Sequence, residues 1–139
     1  MPDIARSALY GKLNSIGYKS LEGAATFCKL RGNPYVEFVH FLFQLVQSQD
    51  TDLHRIIKAF EIDVSRLAAD MQAALDRLPR GASSISDFST HLDTSVERAW
   101  AYASLKYGEN SIRTGHIILA LLRTPGLEHV LKSISREFE

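Results

Sequence analysis

The side chains of this sequence best suited to nucleophilic or metal chemistry are one thiol and five imidazoles: Cys28, His40, His54, His91, His116 and His129. A cysteine nucleophile needs a base close enough to draw off its proton. Cys28 instead falls on the apolar side of a helix-period pattern, where a thiol acts as a small hydrophobe. It is read as a core residue. Zinc sites place their ligands at fixed spacings, and neither H-E-x-x-H nor C-x-x-C occurs. His40 and His116 each open an apolar run shortly after a glycine, which marks them as structural groups at helix starts. Ser83-Ser84 lacks the strand-to-helix elbow that exposes a nucleophilic hydroxyl. The phosphate-cradling pattern G-x-x-x-x-G-K-S/T is also missing. The expectation is a chain with no catalytic residue, no metal and no cofactor of its own.

Binding is the remaining class, and composition narrows it. Sixteen Lys and Arg balance sixteen Asp and Glu, so the 139 residues carry a formal net charge of zero. Such a chain has no general attraction to nucleic acid or anionic lipid. Lys29, Arg31, Lys106 and Arg113 are scattered and form no basic stripe beside stacking aromatics. No apolar run, including the one around Phe41 to Val46, is long enough to cross a bilayer. The opening residues lack a secretory signal's apolar stretch, and a lone cysteine permits no internal disulfide. These features together predict a cytoplasmic protein that binds neither nucleic acid nor membrane.

The elements that position these residues are helical throughout, with no sustained period-2 alternation, so strands are not expected. The pattern predicts a short arm or helix over Ile4 to Leu9 and a long helix running to Leu30, broken by Gly32-Asn33-Pro34. Helices over Val36 to Gln47, Leu53 to Phe60 and Val64 to Leu78 follow, the last with Asp63 as N-cap. A linker, about residues 79–86, separates them from helices over Asp87 to Tyr107, Gly115 to Arg123 (with Thr114 as N-cap) and Leu127 to Glu137.

The two groups of helices read as copies. Leu21, Ala24, Ala25, Cys28 and Leu30 match Val96, Ala99, Trp100, Ala103 and Leu105. Gly32 matches Gly108 once one residue is inserted in the second copy. Val36, His40, Leu42 and Leu45 then match Ile112, His116, Ile118 and Leu121, and Leu53, Ile56, Ile57 and Lys58 match Leu127, Val130, Leu131 and Lys132. Trp100 is read as a core anchor of the second copy, with an exposed docking aromatic as the alternative. The first copy spans about residues 10–78 and the second about 87–139, within one all-α domain.

Two tandem copies of helix, glycine turn and His-headed apolar helix resemble the Clp (Hsp100) N-terminal repeat domain. The resemblance rests on Ala24-Ala25…Val36…His40-Phe41-Leu42-Phe43-Gln44-Leu45 and on Ala99…Ile112…His116-Ile117-Ile118-Leu119-Ala120-Leu121-Leu122. Leu13-Asn14-Ser15-Ile16, Leu21-Glu22-Gly23-Ala24-Ala25-Thr26-Phe27-Cys28, Asp52-Leu53-His54-Arg55-Ile56 and Leu78-Pro79-Arg80-Gly81 look most like the ClpV branch, the unfoldases of type VI secretion. The turn Tyr107-Gly108-Glu109-Asn110 is general to Clp N-domains and does not separate the branches. The resemblance implies a pseudo-twofold bundle of about eight helices with an extra N-terminal arm. It also implies a partner, the N-terminal helix of the larger sheath subunit, docked so that the contracted sheath is disassembled and recycled. The parent would be a hexamer whose ATPase modules, lying beyond Glu139, bind ATP and magnesium; the isolated domain would be monomeric. A Clp N-domain that takes adaptors or unfolded segments broadly is the alternative.

A place for such a partner can be read from the first long helix. At about 100° per residue, Leu21, Ala24, Ala25 and Cys28 share one face. Leu9, Leu13, Ile16, Ser20, Gly23 and Phe27 share a second face, about 110° away. Lys12, Ser15, Lys19, Glu22, Thr26 and Lys29 fill the solvent side. Two apolar faces exceed what one packing surface needs. Ser20 and Gly23 lower the middle of the second face into a trough wide enough for another helix. A glycine inside a helix costs about 1 kcal/mol against alanine, and close approach by a neighbour is one compensation. The N-terminal arm folds over this trough, a peptide helix lies in it, or the glycine is simply tolerated; the first two are compatible if the arm forms one wall. Phe88, opening the second copy, is the remaining candidate for the groove.

Overall fold

The computed structural model describes residues 8, 10–48, 51–82, 87–124 and 128–135. The protein is all-α, and seven α-helices lie among the described residues: α1 (Ser15–Arg31), α2 (Phe38–Gln47), α3 (Asp52–Ala59), α4 (Val64–Asp76), α5 (Thr90–Ala101), α6 (Thr114–Arg123) and α7 (Glu128–Ile134). The arm expected over Ile4 to Leu9 lies outside the described residues apart from Ala8. α1 packs chiefly on α2, and α5 on α6. α2 and α6 are the apolar centre. Phe41, Leu42 and Leu45 are buried in the first, and Ile117, Ile118 and Leu121 in the second. Burying each such side chain contributes about 1.5–3 kcal/mol, so these two short helices anchor the fold.

The ends of the helices show why they start where they do. Asn14 caps α1 by accepting the Gly17 N–H at 2.9 Å. Ser89 caps α5 by accepting the Leu92 N–H at 3.2 Å, at the equivalent position in the second copy. Asp63 caps α4 as expected, taking the Arg66 N–H at 3.1 Å. His40 Nδ1 accepts the Glu37 N–H at 2.9 Å, and His116 Nδ1 the Arg113 N–H at 3.0 Å. The N-cap of α6 is therefore Arg113 rather than Thr114, which becomes the first helical residue. His116, at the third position of the helix, thus accepts the backbone N–H of the N-cap residue, the reciprocal half of a capping box.

Contrary to expectation, two short strands are present. β1 (Tyr35–Val36) and β2 (Asp87–Phe88) pair in parallel, Tyr35 opposite Asp87 and Val36 opposite Phe88. Asp87 and Phe88 therefore lie outside α5, which begins at Thr90. A second parallel bridge joins Leu13 to Ile112. The two are pseudo-equivalent: the residue before the first helix of each copy pairs with the residue before the second helix of the other. The hydrogen bonds repeat as well, Asn14 N–H to the Ile112 carbonyl at 2.8 Å and Ser89 N–H to the Val36 carbonyl at 2.9 Å. Two-residue strands show no alternation in the sequence, which is why the period gave no warning of them.

The inserted residue of the second copy has a structural form. α5 continues into a π-helical turn, Tyr102–Lys106, in which the Tyr107 N–H reaches the Tyr102 carbonyl at 3.1 Å. A π turn absorbs one extra residue without breaking the helix. The chain then reverses at Gly108 (φ 64°), as α1 does at Gly32 (φ 71°). Both glycines hold the left-handed conformation that side-chain-bearing residues avoid.

Asp52, at the start of α3, locks the copies together. Its carboxylate accepts Arg113 Nη2 at 2.7 Å, Arg113 Nε at 3.1 Å and the Gly115 N–H at 3.1 Å. Arg55 Nη1 donates to it at 2.8 Å. The Arg113 guanidinium, followed by the Gly115 N–H, holds the Asp52 carboxyl below the usual aspartate value despite burial.

Candidate functional site

Helix α1 begins at Ser15, so Lys12 and Leu13, which the sequence placed on the same helix, lie before it in a turn and a bridge. The two apolar faces that α1 does carry are treated differently by the tertiary structure. Leu21, Ala24 and Cys28 are buried and Ala25 is half-buried, whereas Lys12, Ser15, Lys19, Glu22, Thr26 and Lys29 are exposed. On the second face, α2 covers part of the trough. Leu13 and Ser20 are buried, Gly23 and Phe27 half-buried, and Ile16 exposed at 37%. Phe27 stacks on Phe43 with ring centroids 4.6 Å apart and meets the His40 ring edge-on at 6.0 Å. A Cβ on Gly23 would stand 2.6 Å from Gln44 Oε1. The close neighbour that compensates for this glycine is thus the Gln44 amide of the domain's own second helix.

What stays open lies toward the start of α1. Ile16, Lys19, Ser20, Gln44 and Ser48 line a shallow depression of about 170 Å³. Of the residues read as a groove, Ile16 and Ser20 line it directly, while Gly23 and Phe27 continue the same face past Gln44. Leu13 belongs to the core and reaches the other copy through its backbone bridge to Ile112. Leu9 lies outside the described residues, and Phe88 is placed by its backbone alone, in β2. The sequence reading missed Gln44 and Ser48. Gln44 had a signal, as the one amide inside the run Phe41 to Val46. A lone polar side chain in an apolar helix belongs at a boundary where its hydrogen-bonding groups stay accessible.

Cys28, His40, His54 and His116 make structural contacts. Cys28 is fully buried, its Sγ 3.2 Å from the carbonyl oxygens of both Asn33 and Tyr35. Burial, then the nearby Glu37 charge, pushes its thiol pKa up. In the native protein it is expected to react with iodoacetamide at least about a hundredfold more slowly than in urea, since the thiolate is the nucleophile. Rapid native labelling followed by mass spectrometry would overturn the core assignment. His54 completes a third capping box, its Nδ1 2.7 Å from Thr51 Oγ1. His91 and His129 are exposed and meet edge-to-face at 5.5 Å. Among the described residues, no three or more His, Cys, Asp or Glu are grouped to hold a metal. Ser83-Ser84 lies outside the described residues. Trp100 is half-buried against the core with Lys12 Nζ 5.0 Å from its ring. Among the described residues no helix is long and apolar enough to cross a membrane.

Comparison with known proteins places this geometry. The family model of the Clp repeat (R) N-terminal domain matches residues 16–134. The AAA+ ATPase ClpV1 of Pseudomonas aeruginosa is 54% identical over 138 residues, which is 99% of this chain and 15% of that protein. The chain therefore spans a small part of that relative's length. A solved structure from work on coevolution of the ATPase ClpV, the TssB-TssC sheath and the accessory HsiE protein superposes with a TM-score of 0.95 at 54% identity, covering 99% of this chain and 85% of that one. A complex of a ClpV N-domain with a VipB peptide superposes with a TM-score of 0.76 at 26% identity, covering 96% of this chain and 86% of that one.

Proposed function

Because this chain belongs to the Clp repeat N-terminal domain family, we propose that it is the substrate-docking domain of a ClpV-type unfoldase and captures the N-terminal helix of the larger type VI sheath subunit. The observation that carries this reading is its likeness to a ClpV N-domain bound to a VipB peptide. The surface we assign to the helix is the second face of α1, entered at Ile16, Ser20 and Gln44 and extending along Gly23 and Phe27, with Leu9 and Phe88 as further contributors; Leu13, which the sequence also offered, is buried in the core instead. The parent protein would be a cytoplasmic hexamer that hydrolyses ATP with magnesium in its own modules and extracts the docked subunit from the contracted sheath. The docking domain itself would be monomeric and would bind neither nucleic acid nor membrane.

The depression is shallow, and this fits a transient grip. Three or four apolar anchors contribute about 1.5–3 kcal/mol each, while folding the peptide takes back about 2–5 kcal/mol and association costs several more. A single site then binds near the micromolar range, about −8 kcal/mol. A ring facing a polymeric sheath gains the rest by avidity.

The test is calorimetric titration of the domain with a synthetic peptide of that sheath helix. Ile16→Asp is expected to weaken binding by at least about tenfold, since it puts a charge where an anchor would be desolvated. Gly23→Arg is expected to abolish it by filling the trough. Gln44 faces Gly23 with the end of a flexible side chain, so circular dichroism should stay unchanged in both variants. Undiminished binding by both would reject the site, and a wild-type domain with no affinity for the peptide would reject the function.

A further inference from the structure

The internal symmetry leads to a second surface. The repeat offset carries Gly23, Thr26, Phe27, Leu30 and Arg31 of α1 onto Arg98, Ala101, Tyr102, Leu105 and Lys106. These five second-copy residues line a depression of about 300 Å³ at the π turn. Its chemistry differs from that of the first-copy face. Where α1 has Gly23, the second copy has Arg98, so a cation replaces a notch. Leu105 is 86% exposed, the highest value among the described large hydrophobic residues. Lys106 Nζ lies 5.7 Å from the Tyr107 ring. Arg98 has no ion-pair or hydrogen-bond partner for its guanidinium among the described residues. Among the described residues, no acidic side chain lines the depression.

We infer that the π-turn depression is a second docking site, taking an acidic segment of a partner protein that presents a bulky apolar anchor between carboxylates. The anchor lies against Tyr102, Ala101 and Leu105, while Arg98 and Lys106 receive the flanking acids. Charge complementarity selects this occupant: two cations beside an exposed leucine attract an apolar group bearing negative neighbours and repel one bearing positive neighbours. The π turn supports the inference independently. An inserted residue weakens helical hydrogen bonding, and π turns are common at functional sites. Here the turn includes Tyr102, Leu105 and Lys106 of the depression. The inference does not depend on the sheath-helix reading, since the two surfaces share no residue.

The experiment titrates isotope-labelled domain with a short blocked peptide, a phenylalanine–leucine pair flanked by glutamates, and follows backbone amide shifts. Saturable shifts centred on Arg98 to Lys106 are expected. They should weaken with added salt, and the same peptide with flanking lysines should bind at least about tenfold more weakly. Leu105→Ser is expected to weaken binding about tenfold, and Arg98→Glu to remove the preference for glutamate. Both positions are exposed, so thermal melts should be unchanged. Absence of saturable shifts, shifts centred on Ile16 and Gln44 instead, or equal binding of the lysine peptide would each overturn the inference. The sheath-peptide titration tests the other surface separately.

Discussion

Replacing His40 with alanine is expected to destabilise the domain by about 3–5 kcal/mol, enough to unfold a marginal protein. His40 is fully buried, and both ring nitrogens are engaged. Nδ1 caps α2 through the Glu37 N–H, and Nε2 lies 2.9 Å from Asn33 Oδ1. Asn33 in turn donates Nδ2 to the Pro79 carbonyl at 2.6 Å. One imidazole therefore joins the glycine turn after α1, the start of α2 and the segment after α4. Its loss leaves a cavity and two buried polar groups without partners, each of the latter costing about 1–3 kcal/mol. Chemical denaturation should show the loss as a lower midpoint with an unchanged slope. A His40→Ala domain within about 1 kcal/mol of wild type would refute this role.

The same residue sets an acid limit. Burial, followed by the Arg31 charge, lowers the His40 pKa to about 4, against 6.5 for the free side chain. Above about pH 6.5 the imidazole is neutral whether folded or unfolded, and stability does not depend on it. Between about 6.5 and about 4 the unfolded chain takes up a proton that the folded one refuses. Stability therefore falls as pH falls, by up to about 1.4 kcal/mol per pH unit. Below about 4 the folded state also protonates and the slope levels off. A His40→Gln variant should lose this slope between pH 6.5 and 4, which melts recorded across that range would reveal.

The second large effect is expected at Asp52. Asp52→Ala removes three contacts to α6 and its N-cap at once, two from Arg113 and one from the Gly115 N–H. Exposed ion pairs contribute little, but this carboxylate is 17% exposed and receives a bidentate guanidinium. Such charge-assisted pairs are the stronger class. Because the Arg113 side chain is itself 46% exposed and the pair is partly screened, the expected cost is about 1–3 kcal/mol. Arg113→Ala should cost less, because the Gly115 N–H and Arg55 still serve the carboxylate. Equal costs for the two variants would show that the helix-capping bond contributes nothing. Gly115 is part of the same design: a Cβ there would stand 3.1 Å from Asp52 Oδ2.

Much of this fold was legible from the chain. Apolar spacing gave most of the described helices to within a few residues at each end, because a helix needs only local bonds and one buried stripe, but it ran α1 back to Leu9 where the helix starts at Ser15. The duplication was legible too, down to the extra residue before Gly108, since matched glycines and histidines are not produced by apolar periodicity. The placement of Cys28 followed from its face of α1. Spacing also identified the second face of α1 as too apolar for one packing surface.

Tertiary structure decided what covers that face. Whether Gly23 stays open depends on the height and side chain of a neighbouring helix, and nothing local to α1 encodes that Gln44 stands over it. It also decided that Leu13 turns inward, because its backbone bridges to Ile112 about a hundred residues away. The Asp52–Arg113 clamp and the crossed strand pairs arise likewise from residues far apart in sequence. A helix face is fixed by neighbours three and four positions away, but the partner of that face is fixed only when the whole chain has closed on itself.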